Sequence, residues 1–194
     1  MTSDRVSGAT PAGGHRPAVP ASAPASAQAP LADLADLPVS WRERVRAEWC
    51  DYNNHLNLAY YVLIFDHATD VFHSSLGLGE AYRRETGHST FAVEAHVNYI
   101  AELRDGDEAA CTTQLLDCDA KRLHYFHRMY HAGKGHLVAT TEIMVVHVDL
   151  GARRVAPMPP AIAAAAQAVL AAHAALPRPE QQGRVIGIRR QAGG

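Results

Sequence analysis

Cysteine is scarce in this chain: 194 residues carry three, Cys50, Cys111 and Cys118. An odd number, with no pair at the spacing of a zinc site or a dithiol motif, excludes a disulfide framework, and a reducing cytoplasm is the expected setting. An excess of charge of one sign is missing too. The 18 Lys and Arg nearly balance the 20 Asp and Glu, for a formal charge of −2. With no basic run interleaved with aromatics, nucleic acid is not an expected partner. No long hydrophobic run is free of charge either. The most apolar stretch, Asn57 to Ser75, holds Asp66, His67, Asp70 and His73, so no bilayer span is expected. Pro11, Pro17, Pro20, Pro24 and Pro30 interrupt the first segment, where a secretory leader would need continuous apolar residues. Metal-ligand spacing is also lacking. His124 and His127 would fall on opposite faces of a strand, and His127 and His131 would lie roughly 13 Å apart. Neither a metal nor a cofactor is expected.

What is present is a 47% hydrophobic composition, enough for the core of one domain. Residues 1–37, rich in Ala, Pro and Ser, read as a disordered tail. Residues 177–194, with four arginines among Pro, Gln and Gly, read as a flexible C-terminal tail. Between them, residues 38–176 give one strand, one long helix and then several strands. Val39 to Cys50 alternates, with Trp41, Val45 and Trp49 among charged residues, as a strand does. Leu58 to Phe65 has no charged residue and precedes a polar edge of Asp66, His67, Thr69, Asp70 and His73, which predicts a buried helix over 57–75 stopped by Gly77 and Gly79. Ser89 to Ile100 puts Phe91, Val93, Ala95, Val97 and Tyr99 on one face and Glu94, His96 and Asn98 on the other. Strands follow over 108–116, 122–131 and 136–148, and an Ala-rich helix over 160–173 begins with proline. This α+β order predicts a curled antiparallel sheet around a long central helix, the hot-dog fold. Such a sheet leaves an edge that a second copy would complete through residues 89–100.

The candidate chemistry sits at the start of the long helix. Asp51 lies in a polar turn, Asp51-Tyr52-Asn53-Asn54-His55, just ahead of Asn57, a plausible N-cap. First-turn N–H groups would then point toward Asp51 and suit an oxygen that gains negative charge.

Val45 to Asn57 resembles the 4-hydroxybenzoyl-CoA thioesterase branch of hot-dog acyl-CoA thioesterases, whose motif runs Asp, two variable residues, Gly, His, an apolar residue and Asn. Asp51, His55, Leu56 and Asn57 match; Asn54 stands where the pattern has glycine. Glu94-Ala95-His96-Val97 with Ala101-Glu102, Lys121 to His124, Phe126-His127-Arg128 and Val146 to Asp149 resemble thioesterases of carnitine breakdown. That group is associated with betainyl-CoA, at times as a domain fused behind L-carnitine dehydrogenase. The resemblance covers about residues 39 to 172. It implies hydrolysis of a small acyl-CoA, betainyl-CoA by similarity, to a free acid and CoA. The implied site has Asp51 as base or nucleophile, and Asn54, His55, Leu56, Asn57 and Tyr60 around the substrate. Glu94 is a possible second acid-base group across a dimer interface. A homodimer or tetramer, and a functional link to a carnitine dehydrogenase, are the implied partners.

Other readings remain open from the residues alone. A non-catalytic acyl-CoA binding module would keep the groove without needing Asp51. A hot-dog hydratase or dehydratase would act on carbons 2 and 3 and use a paired His/Asp site. Cys50 is turned away from Asp51 by strand alternation, so a Cys–His nucleophile is disfavoured. Tyr52, Tyr60, Tyr61, Phe65, Phe91 and Tyr99 are candidates to hold a trimethylammonium group on a ring face, though aromatics on a buried helix are more often core.

Overall fold

The computed structural model describes residues 37–188. Their order is β1 (Val39–Arg44), a single 3-10 turn (Ala47–Trp49), α1 (Leu58–Ser75), α2 (Glu80–Thr86), β2 (His88–Tyr99), β3 (Glu108–Cys118), β4 (Arg122–His131), β5 (Leu137–Asp149), β6 (Arg154–Val155) and α3 (Pro160–His173). The strands form one antiparallel sheet in the order β1-β3-β4-β5-β2, with β6 added beside β5. Short turns make β3, β4 and β5 a meander, while α1 and α2 carry the chain across the sheet so that β2 takes the far edge.

The sheet curls around α1 in the expected α+β hot-dog arrangement. Its registers slip between Leu115 and Asp117, between Ala92 and Glu94, and between Met129 and Tyr130, and a bulge bends the strand that carries it. α1 buries Tyr61, Ile64, Phe65, Ala68 and Phe72, the i, i+3, i+4 spacing of a core-facing stripe. Phe65 and Ile64 pack with Cys111, Met129 and Ala139 in one cluster; Phe72 packs with Leu115, Tyr125 and Val145 in the next. Fully burying side chains of this size stabilises the fold by about 1.5–3 kcal/mol each. Gly77, at φ 82°, ends the helix. Its N–H donates to Ser74 O at 3.0 Å and that of Leu78 to His73 O at 2.8 Å, a termination that needs a left-handed residue.

Several local expectations are corrected. β1 stops at Arg44 rather than continuing to Cys50. Val45 still pairs with Asp107 through the backbone, but Ala47–Trp49 then turns so that Trp49 enters the core and Cys50 bridges to Leu56. The polar residues of α1 do not share one edge. His67 Nδ1 reaches Glu43 Oε2 at 2.6 Å on β1, and Thr69 Oγ1 meets His127 Nε2 at 2.9 Å on β4. In β2 the extra residue is Val93, so alternation breaks there. Phe91 and Glu94 face Val146 and Met144, whereas Ala95, Val97 and Tyr99 face Ile143, Thr141 and Ala139. Phe91 therefore joins Glu94, His96 and Asn98 on the outer face, and Tyr99 turns toward α1. The helix α2 and the short β6 were not anticipated.

Leu37, the last residue of the expected first tail, is buried; residues 1–36 and 189–194 lie outside the described part. Residues 177–183, expected to be free tail, cross the outer face of the sheet. Pro177 O accepts from Gln114 Nε2 at 3.4 Å, and the Gly183 N–H donates to Glu142 Oε2 at 2.6 Å.

Candidate active site

The loop between the 3-10 turn and α1 is held at both ends. The Asp51 N–H donates to His55 O at 2.9 Å, the Asn54 N–H to Asp51 O at 2.9 Å, and the Leu56 N–H to Leu103 O at 2.7 Å. Closing this tight loop requires a left-handed residue, and Asn54 supplies it at φ 59°. Asparagine pays less strain there than most residues other than glycine, which accounts for its place where the family motif has glycine.

The partly exposed Asp51 carboxylate is fixed by the same loop. Oδ1 accepts from the Asn53 N–H at 2.8 Å and from the His55 N–H at 3.3 Å, and Oδ2 takes only a 3.4 Å contact from Asn53 Nδ2. The Asn53 N–H, followed by the other Asn53 and His55 contacts, holds this carboxyl below the usual aspartate range, because donors favour the charged form. It is an ionised carboxylate at neutral pH, with Oδ2 the less engaged oxygen.

Asn57 caps α1, its side-chain oxygen accepting from the Ala59 N–H at 3.0 Å. A cap of this kind contributes about 1 kcal/mol. The backbone donors around it are nearly all in use. The Asn57 N–H goes to Trp49 O and the Tyr60 N–H to Asn57 O, both at 2.9 Å. The Leu56 side chain is buried and its N–H is spent on Leu103, so Leu56 shapes the loop without offering a donor. Among the described residues, the Leu58 N–H alone of the donors from Leu56 to Tyr60 has no such partner. It sits at the positive end of the α1 dipole, where developing negative charge is stabilised.

His55 stands beside a charged pair that sequence spacing did not reveal. Arg104 Nη2 donates to Glu102 Oε1 at 2.7 Å, and His55 Nε2 lies 3.4 Å from both groups. The guanidinium first, and His55 next, keep the Glu102 carboxyl below its ordinary value. Tyr60 stacks on Trp49, with centroids 5.3 Å apart and planes at 14°, so its ring walls the loop. Glu94 does not join this group: it is exposed on the outer face of β2. Burial, with Asp105 and other carboxylates nearby, pushes the Cys50 thiol up, which disfavours the reactive thiolate.

One residue of β2 does reach the site. The Tyr99 hydroxyl donates to Leu58 O at 3.3 Å, and its ring meets Tyr61 edge to face at 5.4 Å. Its neighbours Val97 and Asn98, with residues 184–187, line a recess of about 230 Å³ that Tyr99 also borders. Among the described residues no helix is long and apolar enough to cross a membrane, and no group of three or more His, Cys, Asp or Glu is arranged to hold a metal ion.

The model of a family described as the thioesterase-like superfamily matches residues 45–166. A betainyl-CoA thioesterase of Pseudomonas aeruginosa is 41% identical over 155 residues, covering 80% of this chain and 98% of the relative. An L-carnitine dehydrogenase/betainyl-CoA thioesterase of Rhizobium meliloti is 36% identical over 147 residues, covering 76% of this chain but 29% of that longer protein. Among solved structures, a Staphylococcus aureus protein in complex with CoA superposes with a TM-score of 0.74 at 29% identity, covering 79% of this chain and 97% of the other.

Proposed function

Since this chain belongs to the thioesterase-like superfamily and is an acyl-CoA thioesterase, we propose that it hydrolyses betainyl-CoA and that Asp51 is the reacting carboxylate. What supports the mechanism is that the ionised Asp51 carboxylate sits in the loop leading into α1, whose Leu58 N–H has no hydrogen-bond partner among the described residues. The similarity that carries the substrate extends over 98% of a betainyl-CoA thioesterase.

The chemistry asks for little more. The thioester carbonyl oxygen accepts from the Leu58 N–H, which gains strength as that oxygen becomes an oxyanion; one such donor is worth about 3–4 kcal/mol. Asp51 Oδ2 then has two routes. As a general base it takes a proton from water, whose oxygen bonds to the acyl carbon. As a nucleophile it bonds to that carbon itself, giving a mixed anhydride that water opens. On either route the C–S bond breaks, its electron pair leaves with sulfur, and the thiolate takes a proton from solvent. A thiol with pKa near 8.5 leaves without full protonation in the transition state. Asn54, His55 and Leu56 hold the loop that aims Asp51; Asn57 orients the helix start; Tyr60 lines the approach.

The free edge of β2, with Phe91 and Val93 more than half exposed, supports a homodimer that joins two sheets through residues 89–100. Fused relatives that carry both names support a functional link to a carnitine dehydrogenase, and the free thiols of Cys50, Cys111 and Cys118 support a cytoplasmic setting. The test is release of CoA thiol from a panel of acyl-CoAs by the wild-type protein. Betainyl-CoA giving the highest kcat/KM supports the assignment. Turnover confined to other acyl groups would refute the substrate, and accumulation of an enoyl or hydroxyacyl thioester would refute the reaction.

A further inference from the structure

We infer that Tyr99 selects a quaternary ammonium acyl group, its ring face forming the contact with the cation. This rests on the substrate reading above and names the residue that would enforce it. In a betaine thioester the cationic nitrogen is one methylene from the carbonyl carbon. A carbonyl bound at the Leu58 N–H therefore brings the cation beside the head of α1, and an aromatic residue that recognises it must be within reach of Leu58.

The structure eliminates five of the six aromatic candidates. Tyr52 is 97% exposed, and Phe91 faces outward. Phe65 is buried, stacked on His127. Tyr61 is buried, its hydroxyl donating to Ala101 O at 3.3 Å and accepting from the Leu103 N–H at 3.1 Å. Tyr60 is stacked on Trp49, and the Arg46 guanidinium lies 4.5 Å from the Trp49 ring centroid, so that stack already holds a cation. Tyr99 is different. Its hydroxyl is tied to Leu58 O, its edge-to-face contact with Tyr61 covers at most one ring face, and in the single chain it is 48% exposed, near the end of the segment proposed to meet a second copy. An open tyrosine face attracts a desolvated cation through its quadrupole. The ionised Asp51 carboxylate adds a negative charge, unpaired among the described residues, in the loop ahead of α1, whereas Glu102 is already paired with Arg104.

The experiment compares kcat/KM for betainyl-CoA and for its neutral isostere, 3,3-dimethylbutyryl-CoA, in wild type, Tyr99→Phe and Tyr99→Leu. Tyr99→Leu should reduce the preference for the cation by about ten-fold, while Tyr99→Phe, which keeps the ring and loses the tie to Leu58, should retain it. A residue that only anchors the helix would lower both substrates equally and leave the ratio unchanged in Tyr99→Leu; that result overturns the inference. Wild type acting on the isostere but not on betainyl-CoA would instead overturn the substrate reading, and the role of Tyr99 with it. If Tyr99→Leu does not fold, the ratio in Tyr99→Phe decides, since loss of the preference there contradicts a ring-face contact.

Discussion

The Asn53 backbone N–H lies 2.8 Å from Asp51 Oδ1 and donates to it, so the peptide that follows the carboxylate by two residues also sets its charge state. Stabilising the anion lowers its pKa, and the acid form appears only at lower pH than for an ordinary aspartate, near 3.9. If turnover needs ionised Asp51, kcat/KM has no acid limb from this group in the weakly acidic range. A pH–rate profile on protein shown to remain folded checks this. An acid limb centred above about pH 5 would mean that another group controls the rate.

Asn54 is the left-handed residue of the loop that carries Asp51. Asn54→Gly removes the Cβ at φ 59° and should leave stability within about 1 kcal/mol of wild type, because the native conformation suits glycine. Asn54→Val puts a β-branched residue in the left-handed region and should cost at least about 1–2 kcal/mol, with a fall in kcat as Asp51 moves. Urea denaturation and thiol release measured on the same samples test both halves.

Two histidines in the core make stability depend on pH. Burial lowers His73 to about 4, and burial first, with the neighbouring His73 next, lowers His127 to about 3. His127 is enclosed by Thr69 and Thr113, and His73 by Thr90. Both are neutral in the folded state. The unfolded chain takes up these protons near pH 6.5 while the folded chain does not, so this contribution is complete above pH 6.5. It is lost as pH falls toward 4, at up to about 1.4 kcal/mol per pH unit for each histidine. Urea midpoints should therefore decline from pH 7 to pH 5. A flat or rising series would contradict neutral burial.

The long helix was legible because its signals are local: Asn57 caps it, the apolar stripe repeats through Phe72, and Gly77 ends it. Pro160 marked the start of α3 in the same way. What escaped depended on contacts distant in sequence. The turn at Ala47–Trp49 follows from the bridge between Cys50 and Leu56, while the alternating charges of Arg44, Arg46 and Glu48 imitate a longer strand. The bulge at Val93 has no glycine to announce it, yet it decides which aromatic, Phe91 or Tyr99, faces α1. α2 is short, and Gly79 and Gly87 enclose it without an apolar repeat. The Asn57 cap, and the polar turn ahead of it that holds Asp51, could be read from the sequence. The singular position of the Leu58 N–H could not, because it appears only once Leu103 O and Trp49 O have taken its neighbours. The cluster of His55 with Glu102 and Arg104 likewise joins residues far apart along the chain.

The most direct test of the mechanism is thiol release from betainyl-CoA by wild type and Asp51→Asn, each shown to be folded. Asparagine keeps the shape and some hydrogen bonding of the loop but supplies neither a base nor a nucleophile. The account predicts a loss of kcat of at least about a hundred-fold with little change in melting temperature. Equal rates for the two proteins would remove Asp51 from the chemistry and contradict the mechanism.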